Sequence, residues 1–356
     1  MIPPAVPYGF SPARLRLLDV FRNHPDRPLS ISLLKKETGF SAKQLDGILA
    51  SLAKMGFGFG FLPAKGVRLF SKPDLFFPEL ILSGLATRKI GKTLYGFRKL
   101  GSTNDRALLL GEKGAPEGTL VTTEEQTKGR GRRGRTWSSA AGKSLAFSLI
   151  LRPSLAPDEA AELTLAAAVA VVLTLQEWKV QARIKWPNDI FLGGKKAGGI
   201  LNETRVKQAK MTFAVIGIGI NLNQSAEDFP REIKATATSL LRHSGKKADR
   251  VLFLQRLLVQ LETVLGWVER RQFHRVLAEW RKRSILSNRQ VRITQPGRIF
   301  FAQALDVDEK GALLVRNDWG MVERVLAGDV ELLRISNRRV PRRKIKTKRG
   351  LHDLGD

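Results

Sequence analysis

Three observations predict an α+β protein. Apolar residues recur at helical spacing through residues 13–54; strands and helices then follow one another irregularly between residues 93 and 284; short strands separated by turns fill residues 290–335. That irregular middle differs from the regular strand–helix alternation of a doubly wound sheet. The expected architecture is an N-terminal winged helix-turn-helix (residues 1–78), a central mixed-sheet domain carrying the chemistry (79–286), a small C-terminal SH3-like β-barrel (287–336) and a basic disordered tail (337–356).

Composition narrows the class of function. With 356 residues, 43% of them hydrophobic, the chain is long enough for two or three globular domains. No apolar run reaches the roughly 18 residues that would span a bilayer, and residues 1–10 lack the pattern of a secretory signal. The absence of cysteine excludes disulfides, thiolate metal sites and cysteine nucleophiles, and fits a reducing cytoplasm. A formal net charge of +28 favours a polyanion, an acidic protein or a phosphate-bearing ligand as partner.

In the first domain, Leu15, Leu17, Leu18 and Phe21 mark one helix, and residues 30–37 and 41–54 mark two more about Gly39. Ser41 is a natural N-cap. Residues 55–69 read as a hairpin in which Phe57, Phe59 and Phe61 alternate with glycines, the wing of a winged helix. DNA would meet the helix after Ser41 through Ser41, Lys43 and Gln44. Asp46 would repel phosphate and Gly47 weakens the helix by up to about 1 kcal/mol, so a module that serves only as a protein interface stays open. A linker rich in Pro and Phe (Pro73, Phe76, Phe77, Pro78) follows.

The central domain reads as strands over 93–97, 119–124, 145–151, 183–185, 190–192, 199–204 and 213–221, with helices over 105–110, 160–178, 251–271 and 273–284. Helix 160–178 is apolar on most sides and is expected to be buried. The C-terminal barrel reads as strands over 291–294, 300–306, 313–316 and 330–335, separated by turns at Pro296-Gly297, Lys310-Gly311 and Asn317-Asp318. After Asn337 cations crowd a stretch with almost no apolar residue, either a nucleic-acid contact or a merely solvated end.

Five stretches of the central domain suit ligand chemistry. Gly129-Arg130-Gly131-Arg132-Arg133-Gly134-Arg135, preceded by Gln126 and followed by Trp137, joins glycines that let a backbone approach closely to guanidinium forks that grip carboxylates and phosphates. Taken alone, the run also suits nucleic acid or solvent. Gly101-Ser102-Thr103-Asn104 stands at a helix start, where hydroxyls and free N–H groups hold a polar ligand end or simply cap the helix. Lys185-Trp186-Pro187-Asn188-Asp189 places an amide and a carboxylate on a rigid turn. Lys196-Ala197-Gly198-Gly199 places a lysine across the Gly193-Gly194 hairpin, where it can converge on Asp189. Gly217-Ile218-Gly219-Ile220-Asn221 ends a strand whose glycines suggest close approach of a ligand or a neighbouring backbone.

In this order, over about 120 residues, the five stretches resemble bacterial biotin protein ligases. Up to about Ile335 the chain is similar to the bifunctional kind, which also represses the biotin operon. The resemblance implies condensation of biotin with ATP to biotinyl-5′-adenylate, with Mg2+ accompanying the nucleotide, then transfer of biotin to a lysine of a biotin carboxyl carrier protein, a subunit of acetyl-CoA carboxylase. It implies biotin contacts from Ser102, Thr103, Asn104, Gln126, Arg130, Gly131, Arg132, Lys196 and Gly199. ATP contacts would come from Arg132, Arg135, Trp137, Asn188 and Asn221, and catalysis from Lys196, Arg132 and Asp189. No metal site of the protein's own, no membrane, a cytoplasmic setting, operator DNA and a ligand-promoted homodimer are implied as well.

Charge fits these roles. A carboxylate and a triphosphate repel, so Lys196 and Arg132 would neutralise both and stabilise the crowded phosphoryl transition state. Asp189 would accept a proton from, or orient, the incoming lysine amine. Two rivals stand beside this reading: a lipoate or octanoyl ligase of related architecture, and a DNA-binding biotin sensor without ligase activity. The residue after Lys196 is an alanine where a bulkier one is frequent, and the basic tail falls outside the resemblance.

Overall fold

The computed structural model describes residues 7–63 and 65–333; the expected tail and the last residues of the expected barrel lie outside them. Three helices begin the chain: α1 (Pro12–Asn23), α2 (Ile31–Thr38) and α3 (Ala42–Lys54). A serine starts each one, since the Ser11, Ser30 and Ser41 hydroxyls accept from the Arg14, Leu33 and Gln44 amides. Gly39 ends α2 at φ +73°, a left-handed conformation that costs glycine little. Leu17, Leu34, Leu45 and Leu52 are fully buried between the helices. Strands β1 (Gly58–Leu62) and β2 (Gly66–Ser71) form the expected antiparallel hairpin, and the Leu29 amide ties it to the helices through Val67 O at 2.8 Å.

The stretch expected to be a linker is instead packed. Phe76 and Phe77 are buried, and Pro78 opens a short helix, α4 (Pro78–Leu82). Glu79, wholly buried, receives the Ser11 amide and the Arg14 guanidinium, each at 2.8 Å, fastening α4 to α1.

A seven-stranded mixed sheet forms the centre. Its chain order is β3 (Leu94–Leu100), α5 (Thr103–Glu112), β4 (Leu120–Gln126), β5 (Ser144–Leu151), α6 (Ala160–Glu177), β6 (Arg183–Lys185), β7 (Asp189–Leu192), β8 (Lys195–Lys207) and β9 (Lys210–Asn221). The spatial order is β3-β4-β5-β9-β8-β7-β6, with β3 and β4 parallel and every other pair antiparallel. Helix α5 covers one face over Phe97, Val121, Ile150 and Val215. After the short α7 (Leu240–Ser244), helices α8 (Arg250–Glu269) and α9 (Phe273–Arg283) pack with α6. By length and apolarity α8 is the one helix among the described residues that would suit a bilayer. Its Phe253, Leu254, Leu257, Leu258 and Leu261 are all fully buried in the core.

A charged node joins the packed linker to the sheet. Arg250 is fully buried, pairs with Glu124 at 2.8 Å and Asp74 at 3.0 Å, and lies 4.6 Å above the Phe76 ring. Burial pushes the Glu124 carboxyl above its ordinary value, and the attraction of Arg250 only partly offsets this. Losing one partner of such a node strands the other charge at a cost of about 3–5 kcal/mol.

The C-terminal part is a five-stranded antiparallel sheet of β10 (Gln290–Gln295), β11 (Arg298–Val307), β12 (Leu313–Asn317), β13 (Val322–Val325) and β14 (Asp329–Leu332), in the order β13-β12-β11-β10-β14. Trp186 reaches it from the β6–β7 turn, donating to Gly311 O at 3.0 Å. Two short α-helices and one short strand were not anticipated: α4, α7 and β13. Each spans five residues or fewer, too few to display a period.

Candidate functional site

The Arg/Gly run folds as a narrow lasso. The Trp137 amide donates to Gly129 O at 2.9 Å and the Gly131 amide to Arg135 O at 2.7 Å, leaving Arg132–Gly134 as the tip. Gly134 turns the tip at φ +72°, and Arg133 joins it in the left-handed region at φ +55°. A side chain at residue 129 would collide with Trp137 O, so glycine is required there.

Opposite the lasso, the β6–β7–β8 strands bring two charges together. In β7–β8, Asp189 faces Gly199, but a bulge between Ile190 and Phe191 makes Phe191 face Lys196. Without that one-residue shift Lys196 would point to the other face of the sheet. With it, Lys196 Nζ lies 2.5 Å from Asp189 Oδ1, while Lys185 Nζ approaches the other oxygen at 3.6 Å. The expected convergence across the Gly193-Gly194 hairpin is therefore present. Asp189 is buried and Lys196 is partly open to the cleft.

Between lasso and sheet lies a cleft of about 360 Å3. Every residue expected at biotin, ATP or the catalytic centre lines it: Ser102, Thr103, Asn104, Gln126, Arg130, Gly131, Arg132, Arg135, Trp137, Asn188, Asp189, Lys196, Gly199 and Asn221. At its floor Thr103 gives its amide to Gln126 Oε1 at 2.8 Å, and Ser148 donates to Asn104 Oδ1 at 2.6 Å. Arg132 donates to Asn188 Oδ1 at 3.2 Å, and Asn188 is braced by Ile200 O at 2.7 Å. Burial pulls the Arg132 guanidinium below its ordinary value, against the attraction of Asp329 and Asp189.

Several expected residues are engaged otherwise than their sequence suggests. Ser102 caps α5 through the Asp105 amide. The glycines of β9 admit side chains rather than a ligand or backbone: Asn104 lies where a Gly217 side chain would be, and the Trp137 indole where a Gly219 side chain would be. Asn221 is buried, its amide donating to Thr238 O at 3.0 Å and its carbonyl accepting from Gln224 at 2.9 Å. Arg135 is drawn to Asp329 of β14, as is Arg133, which also donates to Thr294 O at 3.1 Å. Trp137 Nε1 is buried without an acceptor, an unsatisfied donor on the cleft wall. In α3, Ser41 and Gln44 form a reciprocal capping box that takes up Ser41 Oγ and Gln44 Oε1, leaving the Gln44 amide nitrogen and Lys43 exposed.

Three participants escaped the sequence reading: Ser148, Glu203 and Asp329. Glu203 was accessible in principle, because Gly199, Leu201 and Glu203 alternate along β8 toward one face. Asp329 belongs to another domain, and no local pattern marks it.

Comparison with known proteins agrees with this geometry. Residues 96–221 match the biotin/lipoate A/B protein ligase family, and residues 286–333 match the biotin protein ligase C-terminal domain. The bifunctional ligase/repressor BirA of Bacillus subtilis is 35% identical over 323 residues, covering 90% of this chain and 99% of that protein. The biotin–[acetyl-CoA-carboxylase] ligase of Mycobacterium tuberculosis is 34% identical over 242 residues, 66% of this chain and 86% of that protein. Among solved structures, the biotin protein ligase of Aquifex aeolicus in complex with biotin and ATP superposes with a TM-score of 0.59 at 30% identity, covering 68% of this chain and 99% of that one. With a converged Lys196–Asp189–Arg132 cleft on a mixed sheet and relatives matched along nearly their whole length, this chain belongs to the biotin protein ligase family.

Proposed function

We propose that this chain, a biotin protein ligase, joins biotin to ATP as biotinyl-5′-adenylate, releasing pyrophosphate, and then passes the biotinyl group to one lysine of a biotin carboxyl carrier protein. The observation that supports this most is the gathering of Lys196, Asp189 and Arg132 over the same cleft floor as Thr103, Asn104 and Gln126. In the first step a biotin carboxylate oxygen attacks the α-phosphorus and the bond to the β-phosphate oxygen breaks. Lys196 and Arg132 lower the repulsion between the two anions and hold the charge that builds on the phosphoryl oxygens. In the second step the carrier amine attacks the acyl carbon and AMP leaves. Asp189 orients that amine or accepts its proton, and the pairing with Lys196 loosens when phosphate arrives to take the lysine.

Ser102, Thr103, Asn104 and Gln126 form the biotin side of the cleft, together with Arg130, Gly131 and Gly199. Trp137, Asn188 and Arg135 face the nucleotide. Asn221 joins them on the nucleotide side, its amide keeping one N–H and its carbonyl one lone pair beyond the bonds to Thr238 and Gln224. Closure of the Gly129–Trp137 lasso would exclude water from an adenylate that water destroys. Among the described residues no three His, Asp or Glu side chains cluster to hold a metal. Mg2+ would accompany the ATP phosphates and supply charge neutralisation there.

A second activity is favoured by the N-terminal helices and hairpin, which suit a winged helix-turn-helix over residues 1–78, with an SH3-like barrel over 287–336 flanking the catalytic domain of 79–286. We read this part as a biotin-responsive repressor acting in the cytoplasm as a ligand-promoted homodimer, its operator contacts falling to Lys43 more than to Ser41 or Gln44. Biotin-dependent exchange of labelled pyrophosphate into ATP tests the first chemical step. No exchange with biotin, or exchange driven by lipoate instead, rejects the ligase assignment.

A further inference from the structure

The lasso is fastened to the cleft floor by a carboxylate outside the reacting groups. Glu203 Oε2, on β8, accepts from Asn104 Nδ2 at 2.8 Å and from Arg130 Nη2 at 2.8 Å. Arg130 also pairs with Asp105 at 2.6 Å. Burial alone would pull the Arg130 guanidinium down, but Glu203 and Asp105 outweigh it and hold it above its ordinary value. Asn104 cannot turn away from this contact. Its carbonyl accepts from Ser148, it is buried, and it lies directly over the bare Cα of Gly217.

The contacts close a ring. Gln126, the last residue of β4 before the lasso, holds Thr103; Ser148 lies 2.8 Å from Thr103 Oγ1 and bonds Asn104; Asn104 bonds Glu203; and Glu203 returns to Arg130 within the lasso. Both the entry and the body of the loop are thus tied to the two residues that face the floor of the cleft. An ionised carboxylate is suited to this position because it accepts twice on one oxygen and offers no competing donor.

We propose that Glu203 is a positioning residue: by bridging Asn104 and Arg130 it transmits occupancy of the cleft floor to the Arg/Gly lasso and so slows escape of the bound intermediate. The identity of that intermediate, biotinyl-adenylate, rests on the ligase reading; the bridge itself does not. A ligand that fixes Asn104 fixes Glu203, and Glu203 then restrains Arg130. Because the pair is partly exposed, the restraint should be modest, about threefold to fivefold in the populations it governs.

Hydrogen exchange of the lasso amides is the first readout, made on the full chain without ligand. In Glu203→Gln the Gly131, Arg135 and Trp137 amides should exchange about threefold to fivefold faster, while α6 amides and the Tm stay as in the unaltered protein. Arg130→Gln, which also loses Asp105, should give at least that local change, and the double variant no more than Arg130→Gln alone. A merely structural loss would instead raise exchange in α6 and lower the Tm. The second readout is dissociation of biotinyl-adenylate formed in place, which should accelerate in Glu203→Gln by a similar factor. Unchanged lasso exchange, additive effects in the double variant, or normal retention of adenylate would overturn the proposal. If the unaltered protein forms no adenylate, the ligase reading falls, and lasso exchange alone then decides the bridging role of Glu203.

Discussion

Helix α3 and the Arg/Gly lasso are both polar, both partly exposed and both suited by composition to an anion, yet their side chains are differently committed. In α3, Ser41 and Gln44 close on each other's backbone, and what remains outward is Lys43 and the Gln44 amide nitrogen beside Asp46 and Gly47. In the lasso three backbone bonds lace the loop to itself, from the Gly131, Arg135 and Trp137 amides, and the side chains reach outward to Asn188, Glu203 and Asp329. A side chain that completes a helix end has fewer polar atoms left for a partner, whereas a side chain on a loop laced through its backbone keeps all of them. Composition does not separate the two cases; hydrogen-bond accounting does.

The contrast can be broken at its strongest point first. Lys196→Ala should slow adenylate formation by about 10²–10³-fold, the scale of one lost charge-stabilising donor, as read by pyrophosphate exchange. A near-normal rate would remove Lys196 from the chemistry. Next in size, Arg132→Gly should release adenylate about tenfold faster or more and label lysines of bystander proteins. A tightly held intermediate would contradict the closing role of the lasso.

Smaller effects sharpen the comparison. Asp329→Ala frees Arg133 and Arg135 from the C-terminal sheet and should hasten adenylate escape by about threefold, measured by filter retention; no change would confine Asp329 to domain packing. For α3 the effects should divide between two measurements. Ser41→Ala should cost about 1 kcal/mol of stability to denaturant through the lost cap. Lys43→Ala should leave stability alone while lowering the salt slope of operator binding by about one. If Ser41→Ala weakened DNA binding more than Lys43→Ala did, the distinction between a committed cap and a free side chain would fail.

Much of this was legible because the relevant distances are short along the chain. Lys196 lies seven residues after Asp189 across two glycines, so a hairpin had to bring them near. The bulge that turns Lys196 to the correct face left no trace in the residue pattern, since it arises from pairing between strands. Gly217 and Gly219 announced a close approach, but the occupants are Asn104 and Trp137, distant in sequence. Asp74, Glu124 and Arg250 form a buried node spread over the chain, and Asp329 reaches the cleft from a separate sheet. Local period and turn chemistry are silent on such contacts. Phe76 and Phe77 show the same limit: beside Pro73 and Pro78 they read as a connector, while their apolar surface placed them in the core.

If the cleft under the lasso activates biotin, the biotinyl group must end on a protein lysine. Incubating the full chain with ATP, Mg2+, biotin and a purified biotin carboxyl carrier domain, then locating the added mass by tryptic mass spectrometry, tests it most directly. One biotinylated lysine on the carrier is expected, lost when Lys196 is replaced by alanine. An unmodified carrier, or a carrier labelled by lipoate and not by biotin, would contradict it.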